Sequence, residues 1–171
     1  LVVQSSSATI AVLQNIASTA GPDGGSLIGL TGALPVLFGD NIGTTITALI
    51  ASIGLSLNAK RTALAHSIFN ISGSLIFIWL IVPYSHIIEM ISPKGPEIEV
   101  ISRQIANAHT GFNVVMTLIW TPLLFLMVKI VCKLLPDKEG ATVTRAISEP
   151  RFLDRRVLNQ PVAAIELASN E

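Results

Sequence analysis

The hydrophobic pattern divides the first 135 residues into long apolar stretches separated by short polar or glycine-rich interruptions. Residues 64–84 contain no Asp, Glu, Lys or Arg, and a stretch of this length is sufficient to cross a bilayer as a helix. Residues 112–135 form a second such stretch, whose two lysines lie near its end, where long side chains reach the interface. The pattern therefore predicts two long transmembrane helices.

The first 57 residues are apolar but interrupted twice. The sequence GPDGG at residues 21–25 is typical of a turn, so it predicts a helical hairpin. The sequence GDNIGTT at residues 39–45 makes a poor helix interior because of its two glycines. We therefore expect a helix that is unwound near its middle, with protein or a water-filled cavity covering the break. Glycine-interrupted apolar segments of this kind point to a transporter binding site.

Composition agrees with a membrane protein and argues against other classes. Half of the 171 residues are hydrophobic, 13% are charged and the mean hydropathy is +0.64. The net charge is zero, so a nucleic-acid partner is not expected. An enzyme of the serine hydrolase class is not expected either, because no G-x-S-x-G sequence occurs. Half of the charged side chains lie in residues 136–171, which predicts a membrane part at 1–135 followed by a polar tail.

Basic residues predict the orientation. Lys60 and Arg61 precede the first long span, and Lys133 and Lys138 lie at the end of the second. Two antiparallel crossings place all four on one face, which the positive-inside rule makes cytoplasmic. We expect a multi-pass protein of the cell membrane with a cytoplasmic tail. The chain has no starting Met, so we also expect it to begin within a longer protein.

Small polar side chains interrupt the first apolar stretch at Gln4, Ser5, Ser6 and Ser7. Hydroxyls, an amide and the N–H groups at a helix N-terminus can hold a small oxyanion without a full counter-charge. The alternative is close helix packing through small residues. We favour a binding site because a second polar interruption follows about 35 residues later.

The second interruption offers oxygen ligands. Asn41, Thr44 and Thr45 carry side-chain oxygens, and unwound backbone would add carbonyl groups. An oxygen-rich site of this kind suits a hard cation such as sodium. The sequence predicts no other metal site.

Two segments repeat the pattern A-H-x-x-F-N-x-x-x-x-L, starting at Ala65 and Ala108. Each places a histidine and an asparagine on one helix face, as His66 with Asn70 and His109 with Asn113. We expect these pairs to bond across to neighbouring helices and to begin at opposite membrane faces. A role in proton or substrate handling is the alternative, because ionisable groups within a membrane are often functional.

The sequence resembles the sodium–phosphate cotransporters, in the bacterial branch that carries a PhoU-like tail. The matching segments are QSSSA at residues 4–8, LPVLFGDNIGTTITALIASIG at 34–54, NAKRTALAHSIFN at 58–70 and HTGFN at 109–113. The resemblance implies an all-α membrane fold of two inverted repeats, of which this chain would be the second. The missing first repeat would then be a partner within the same protein. Residues 136–171 would be a linker and the start of the PhoU-like helical domain.

The resemblance also implies a function, which is sodium-coupled transport of inorganic phosphate. Phosphate would bind to the serine run, and the co-transported sodium ion would bind near the G-x-N-x-G-T segment. Asp40 departs from the family pattern, and it either binds sodium or faces a vestibule. The alternative function is a membrane-anchored sensor that binds phosphate without translocating it.

Overall fold

The computed structural model describes residues 5–137, which form six helices without a β-sheet. The helices are α1 Ser6–Ala17, α2 Gly29–Ala51, α3 Leu57–Trp79, α4 Ile81–Ile91, α5 Glu97–Trp120 and α6 Leu124–Leu134. The chain divides into two units, Leu1–Leu135 and Pro136–Glu171. Nearly all of the second unit lies outside the described residues, so a PhoU-like domain there stays a prediction.

Two of these helices, α2 and α3, are long and apolar enough to cross a membrane. Helices α5 and α6 form a third candidate span that is bent by 84° between them, and α4 is a shorter apolar helix. Large apolar side chains such as those of Trp79, Leu75 and Phe125 are exposed on the helix surfaces. The chain is therefore an all-α membrane protein, as the sequence predicts.

The predicted hairpin forms between α1 and α2. Ser5 caps α1, because its hydroxyl accepts a hydrogen bond from the N–H of Ala8 at 3.3 Å. Gly24 in the turn has φ +80°, a conformation that suits glycine. Ser26 closes the hairpin, donating to the carbonyl of Ala17 at 2.6 Å and accepting from the N–H of Gly29 at 3.0 Å.

The expected break at residues 39–45 is wrong, because α2 is continuous from Gly29 to Ala51. Helix propensity alone penalises each glycine by about 1 kcal/mol, and packing outweighs that penalty. Leu37 and Phe38, directly before this segment, and Thr45, at its end, are completely or almost completely buried. The hydroxyl of Thr44 also donates to the carbonyl of Asp40 within the helix, at 2.9 Å.

The breaks occur instead at prolines in the two predicted long spans. The span expected at 64–84 ends as α3 at Trp79, and α4 begins two residues later. Pro83 has no N–H to donate to the carbonyl of Trp79, and it sits in the first turn of α4, where proline is tolerated. The span expected at 112–135 is interrupted in the same way at Pro122, between α5 and α6.

Hydrogen bonds fix which helix ends lie together. The guanidinium of Arg61, near the start of α3, donates twice to the carbonyl of Leu135 after α6, at 2.9 and 2.7 Å. The N–H of Ser26 in the hairpin turn donates to the carboxylate of Glu97 at the start of α5, at 2.9 Å. The start of α3 and the end of α6 are therefore at the same end of the membrane unit, as the sequence predicts.

An aromatic cluster forms the core where α2, α3, α4 and α5 meet. Phe38, Phe77, Tyr84 and Phe112 contribute one ring each, and the contacting ring centroids are 4.7 to 6.5 Å apart. All four side chains are buried. Such pairs each add about 0.5–1.5 kcal/mol beyond the burial of their surface. The cluster therefore holds the four helices together.

Gly73 is required at the contact of α3 with α5. A Cβ atom there would lie 2.7 Å from Cζ of Phe112 and 2.9 Å from Cγ of Met116. The absence of a side chain therefore lets Phe112 pack directly on the backbone of α3. The Tyr84 hydroxyl donates to the carbonyl of Ala108 at 2.6 Å, which fixes α4 against α5 at the same level.

Candidate functional site

A cavity of about 300 Å³ brings together residues from α1, α2, α3 and α5. We call it the polar cavity, because only one of its eight lining side chains is apolar. Its lining residues are Ser6, Asn41, Thr44, His66, Phe69, Asn70, His109 and Asn113. The serine run, the G-x-N-x-G-T segment and both A-H-x-x-F-N motifs therefore meet at one place.

The serine run reaches the polar cavity through Ser6, the first residue of α1. Ser5 is exposed and caps the helix, and Ser7 is exposed and does not line the cavity. Gln4 lies outside the described residues. The N-terminus of α1 is thus next to the cavity, where its N–H groups and dipole favour negative charge.

Asn41 contributes a buried hydrogen-bond donor to the polar cavity. Its side chain is 6% exposed, and its Nδ2 has no hydrogen-bond partner within residues 5–137. A buried amide without a partner costs about 1–3 kcal/mol, because its interaction with water is lost and not replaced. The group is therefore a donor available to an acceptor that enters the cavity.

The other three sodium candidates on α2 differ in whether they line the polar cavity. Thr44 lines the polar cavity, and its hydroxyl oxygen keeps lone pairs although it donates to the carbonyl of Asp40. Thr45 is completely buried, does not line the cavity, and donates to the carbonyl of Ile42 at 2.8 Å. Asp40 does not line the cavity either, but its Oδ2 is buried and has no partner in the described part of the chain.

The two A-H-x-x-F-N motifs line the same cavity, one from α3 and one from α5. The expectation that they begin at opposite faces is wrong, because α5 begins at Glu97 and its motif lies near the middle of the helix. Within the described residues 5–137, the expected bonds from their amides to neighbouring helices are also absent. The amide of Asn70 donates to the carbonyl of His66 at 3.0 Å, and that of Asn113 donates to the carbonyl of His109 at 2.8 Å.

The chemistry of the polar cavity is that of a neutral cage. No Lys, Arg, Asp or Glu is among its lining residues in the described part of the chain. Ser6 and Asn41 can donate to an anion, and amide and hydroxyl oxygens can coordinate a cation. Of the described residues that line it, His66 and His109 alone are titratable. The cavity can therefore hold a small oxyanion or a hard cation.

A second cavity, of about 500 Å³, lies at the bend between α5 and α6 and is mostly apolar. It shares His66 and Phe69 with the polar cavity. Trp120 is part of its wall, and its indole N–H donates to the hydroxyl of Ser72 at 3.2 Å. With few polar groups, this apolar cavity offers little to an ion. The polar cavity is therefore the candidate site.

Comparison with known proteins identifies relatives that the chain resembles over part of their length. The chain is 33% identical over 137 residues to YqeW of Bacillus subtilis, a protein described as uncharacterised; the match covers 80% of this chain and 41% of YqeW. It is 44% identical over 64 residues to human sodium-dependent phosphate transport protein 2C, covering 35% of this chain and 10% of that protein.

A further relative comes from Salmonella typhimurium and bears the name "Putative inorganic phosphate export protein YjbB". It is 27% identical over 140 residues, which are 81% of this chain and 24% of that protein. The chain thus spans less than half the length of each of these relatives. No protein-family model matches the chain, and no solved structure matches it.

The unpartnered amide of Asn41 predicts an unusual effect on stability. Replacing Asn41 with Leu should raise the free energy of unfolding of the ligand-free protein by about 1 kcal/mol, because a buried unsatisfied group is removed. Asn70 is the matched control, since it is equally buried, at 6% exposure, and lines the same cavity. Asn70→Leu should lower the stability by about 0.6 kcal/mol, because its amide is hydrogen-bonded. Thermal unfolding in detergent measures both, and an Asn41→Leu protein less stable than Asn70→Leu would contradict the interpretation.

Proposed function

We propose that this chain is one repeat of a sodium-coupled transporter of inorganic phosphate and that phosphate binds in the polar cavity. The observation that carries the proposal is the convergence of Ser6, Asn41 and both A-H-x-x-F-N motifs on one polar cavity within an apolar helical protein. Relatives named for sodium-dependent phosphate transport and for phosphate export support the choice of substrate. The role is transport without chemical conversion of phosphate.

Phosphate would be held by neutral donors. The hydroxyl of Ser6 and the Nδ2 of Asn41 supply hydrogen bonds, and the N-terminus of α1 supplies a favourable dipole. Gln4 stays part of the proposed anion-binding run, whereas Ser5 and Ser7 are exposed outside the polar cavity and make no proposed contact with phosphate. A cage without a fixed positive charge binds an anion less tightly than one with lysine or arginine, and release from it is correspondingly easier.

Sodium would bind beside phosphate on α2. The buried Oδ2 of Asp40 lacks a partner among residues 5–137, and a cation would offset the cost of burying that carboxylate. Thr44 lies one turn after Asp40, so their side chains are on the same face of the helix. Asn41 can add an amide oxygen from the neighbouring face. Thr45 is the fourth proposed residue. Sodium bound here would place positive charge next to the anion and couple the two binding events.

The membrane orientation belongs to the same proposal. The end of the membrane unit that carries Arg61 and Leu135 would face the cytoplasm, together with the tail beyond it. The connection between α4 and α5 and the turn of the hairpin would lie at the opposite end, where Glu97 joins them.

Uptake of radiolabelled phosphate into proteoliposomes that contain the full-length protein tests the transport function. Uptake should require an inward sodium gradient. Ser6→Ala should weaken apparent phosphate affinity about ten- to a hundredfold, because a hydrogen bond to a charged group contributes about 1.5–3 kcal/mol. Ser7→Ala is the matched control and should leave affinity unchanged, since Ser7 is exposed outside the polar cavity.

The same assay separates the candidate functions. Asp40→Asn should raise the sodium concentration for half-maximal uptake. Phosphate binding without uptake at any sodium gradient would favour the membrane-anchored sensor instead. Equal losses in Ser6→Ala and Ser7→Ala would show that the polar cavity is not the phosphate site.

Thiol labelling in a Cys132→Ser background tests the orientation. Asn58→Cys, at the start of α3, should react with a membrane-impermeant reagent only after the cells are permeabilised. Lys94→Cys, in the exposed connection between α4 and α5, should react in intact cells. The reverse labelling pattern would invert the proposed orientation.

A further inference from the structure

We propose that His66 and His109 bind the transported anion directly, as a pair of imidazole donors whose contribution to binding grows as the pH falls. The inference rests on the proposed function and adds two residues and a form of regulation to the same site. Both histidines line the polar cavity, and each comes from its own helix. The repeated motif thus supplies the same side chain twice to one site.

The local hydrogen bonds leave the two imidazoles available. The amides of Asn70 and Asn113 are directed to the main-chain carbonyls of the two histidines, and neither amide bonds to an imidazole. Within residues 5–137, neither imidazole takes part in a hydrogen bond or an ion pair. Both rings can therefore donate to a molecule in the cavity, as can the unpartnered amide of Asn41.

Among the described residues that line the polar cavity, only the two histidines can acquire a positive charge. The lining residues of α1 and α2 carry no titratable group, and each of α3 and α5 contributes one histidine. Asp40 on α2 is the nearest acidic residue in sequence to the lining residues, and its carboxylate does not line the cavity. The residues of α6 that line the apolar cavity together with His66 are Leu124 and Met127, and both are uncharged.

Protonation would change the charge of these histidines and the number of hydrogen-bond donors that each one has. A protonated imidazole is positive and carries two N–H donors, whereas the neutral ring carries one. An anion binds the protonated pair more tightly than the neutral pair because the hydrogen bonds become charge-assisted. Removal of either imidazole should therefore cost more affinity at pH 6 than at pH 8.

Phosphate binding to the purified full-length protein at saturating sodium tests the inference. Compared with the wild type at the same pH, His66→Gln and His109→Gln should each lose about tenfold in affinity at pH 6, with a smaller loss at pH 8. Glutamine keeps an N–H donor but cannot acquire charge. The control is His86→Gln, because His86 is an exposed residue of α4 beside Glu89 and outside the polar cavity. It should bind as the wild type does.

A second measurement uses only wild-type protein and so does not depend on variant folding. Phosphate with sodium should protect His66 and His109, but not His86, from diethylpyrocarbonate, as read by mass spectrometry. Wild-type affinity in both glutamine variants at both pH values, or equal modification of all three histidines with and without phosphate, would overturn the inference. Phosphate binding that depends on Ser6 but not on the histidines would leave the proposed function standing, whereas no binding by the wild type would contradict that function itself.

Discussion

The close approach of α3 and α5 at Gly73 is the constraint on which the membrane unit depends. Phe112 and Met116 occupy the space that any side chain at this position would fill. This contact lets Phe112 join the aromatic cluster with Phe38 and Phe77, so that three helices share one core. Asn113, a lining residue of the polar cavity, directly follows Phe112 in the sequence, and Asn41 lies three residues after Phe38. The apolar core therefore fixes the position of the polar cavity.

The polar cavity has an energetic cost that the apolar core must offset. Asn41 is buried with an unpartnered Nδ2, and Asp40 has a buried oxygen without a partner in the described residues. Groups of this kind reduce stability by about 1–3 kcal/mol each. A ligand that supplies the missing partners would recover that free energy on binding. The local instability and the proposed binding function are thus two consequences of the same arrangement.

The sequence predicts the helical class, the hairpin turn and the shared end of α3 and α6, because apolar run length, GPDGG and basic residues report on local structure and orientation. It misplaces the helix breaks. Glycines at 39 and 43 only weaken a helix, and packing around Phe38 overrides them, whereas Pro83 and Pro122 remove backbone donors. Convergence of His66 and His109 on one cavity depends on tertiary packing, and the repeated A-H-x-x-F-N pattern led instead to the expectation that the two motifs begin at opposite membrane faces.

The central claim is that the motifs meet to bind phosphate in the polar cavity. Cryo-electron microscopy of the full-length protein, with and without phosphate in the presence of sodium, tests it most directly. The account predicts tetrahedral density only in the phosphate sample, within hydrogen-bond distance of Ser6 and of the Nδ2 of Asn41. Phosphate density located elsewhere in the protein, with the polar cavity unchanged between the two samples, would contradict the account.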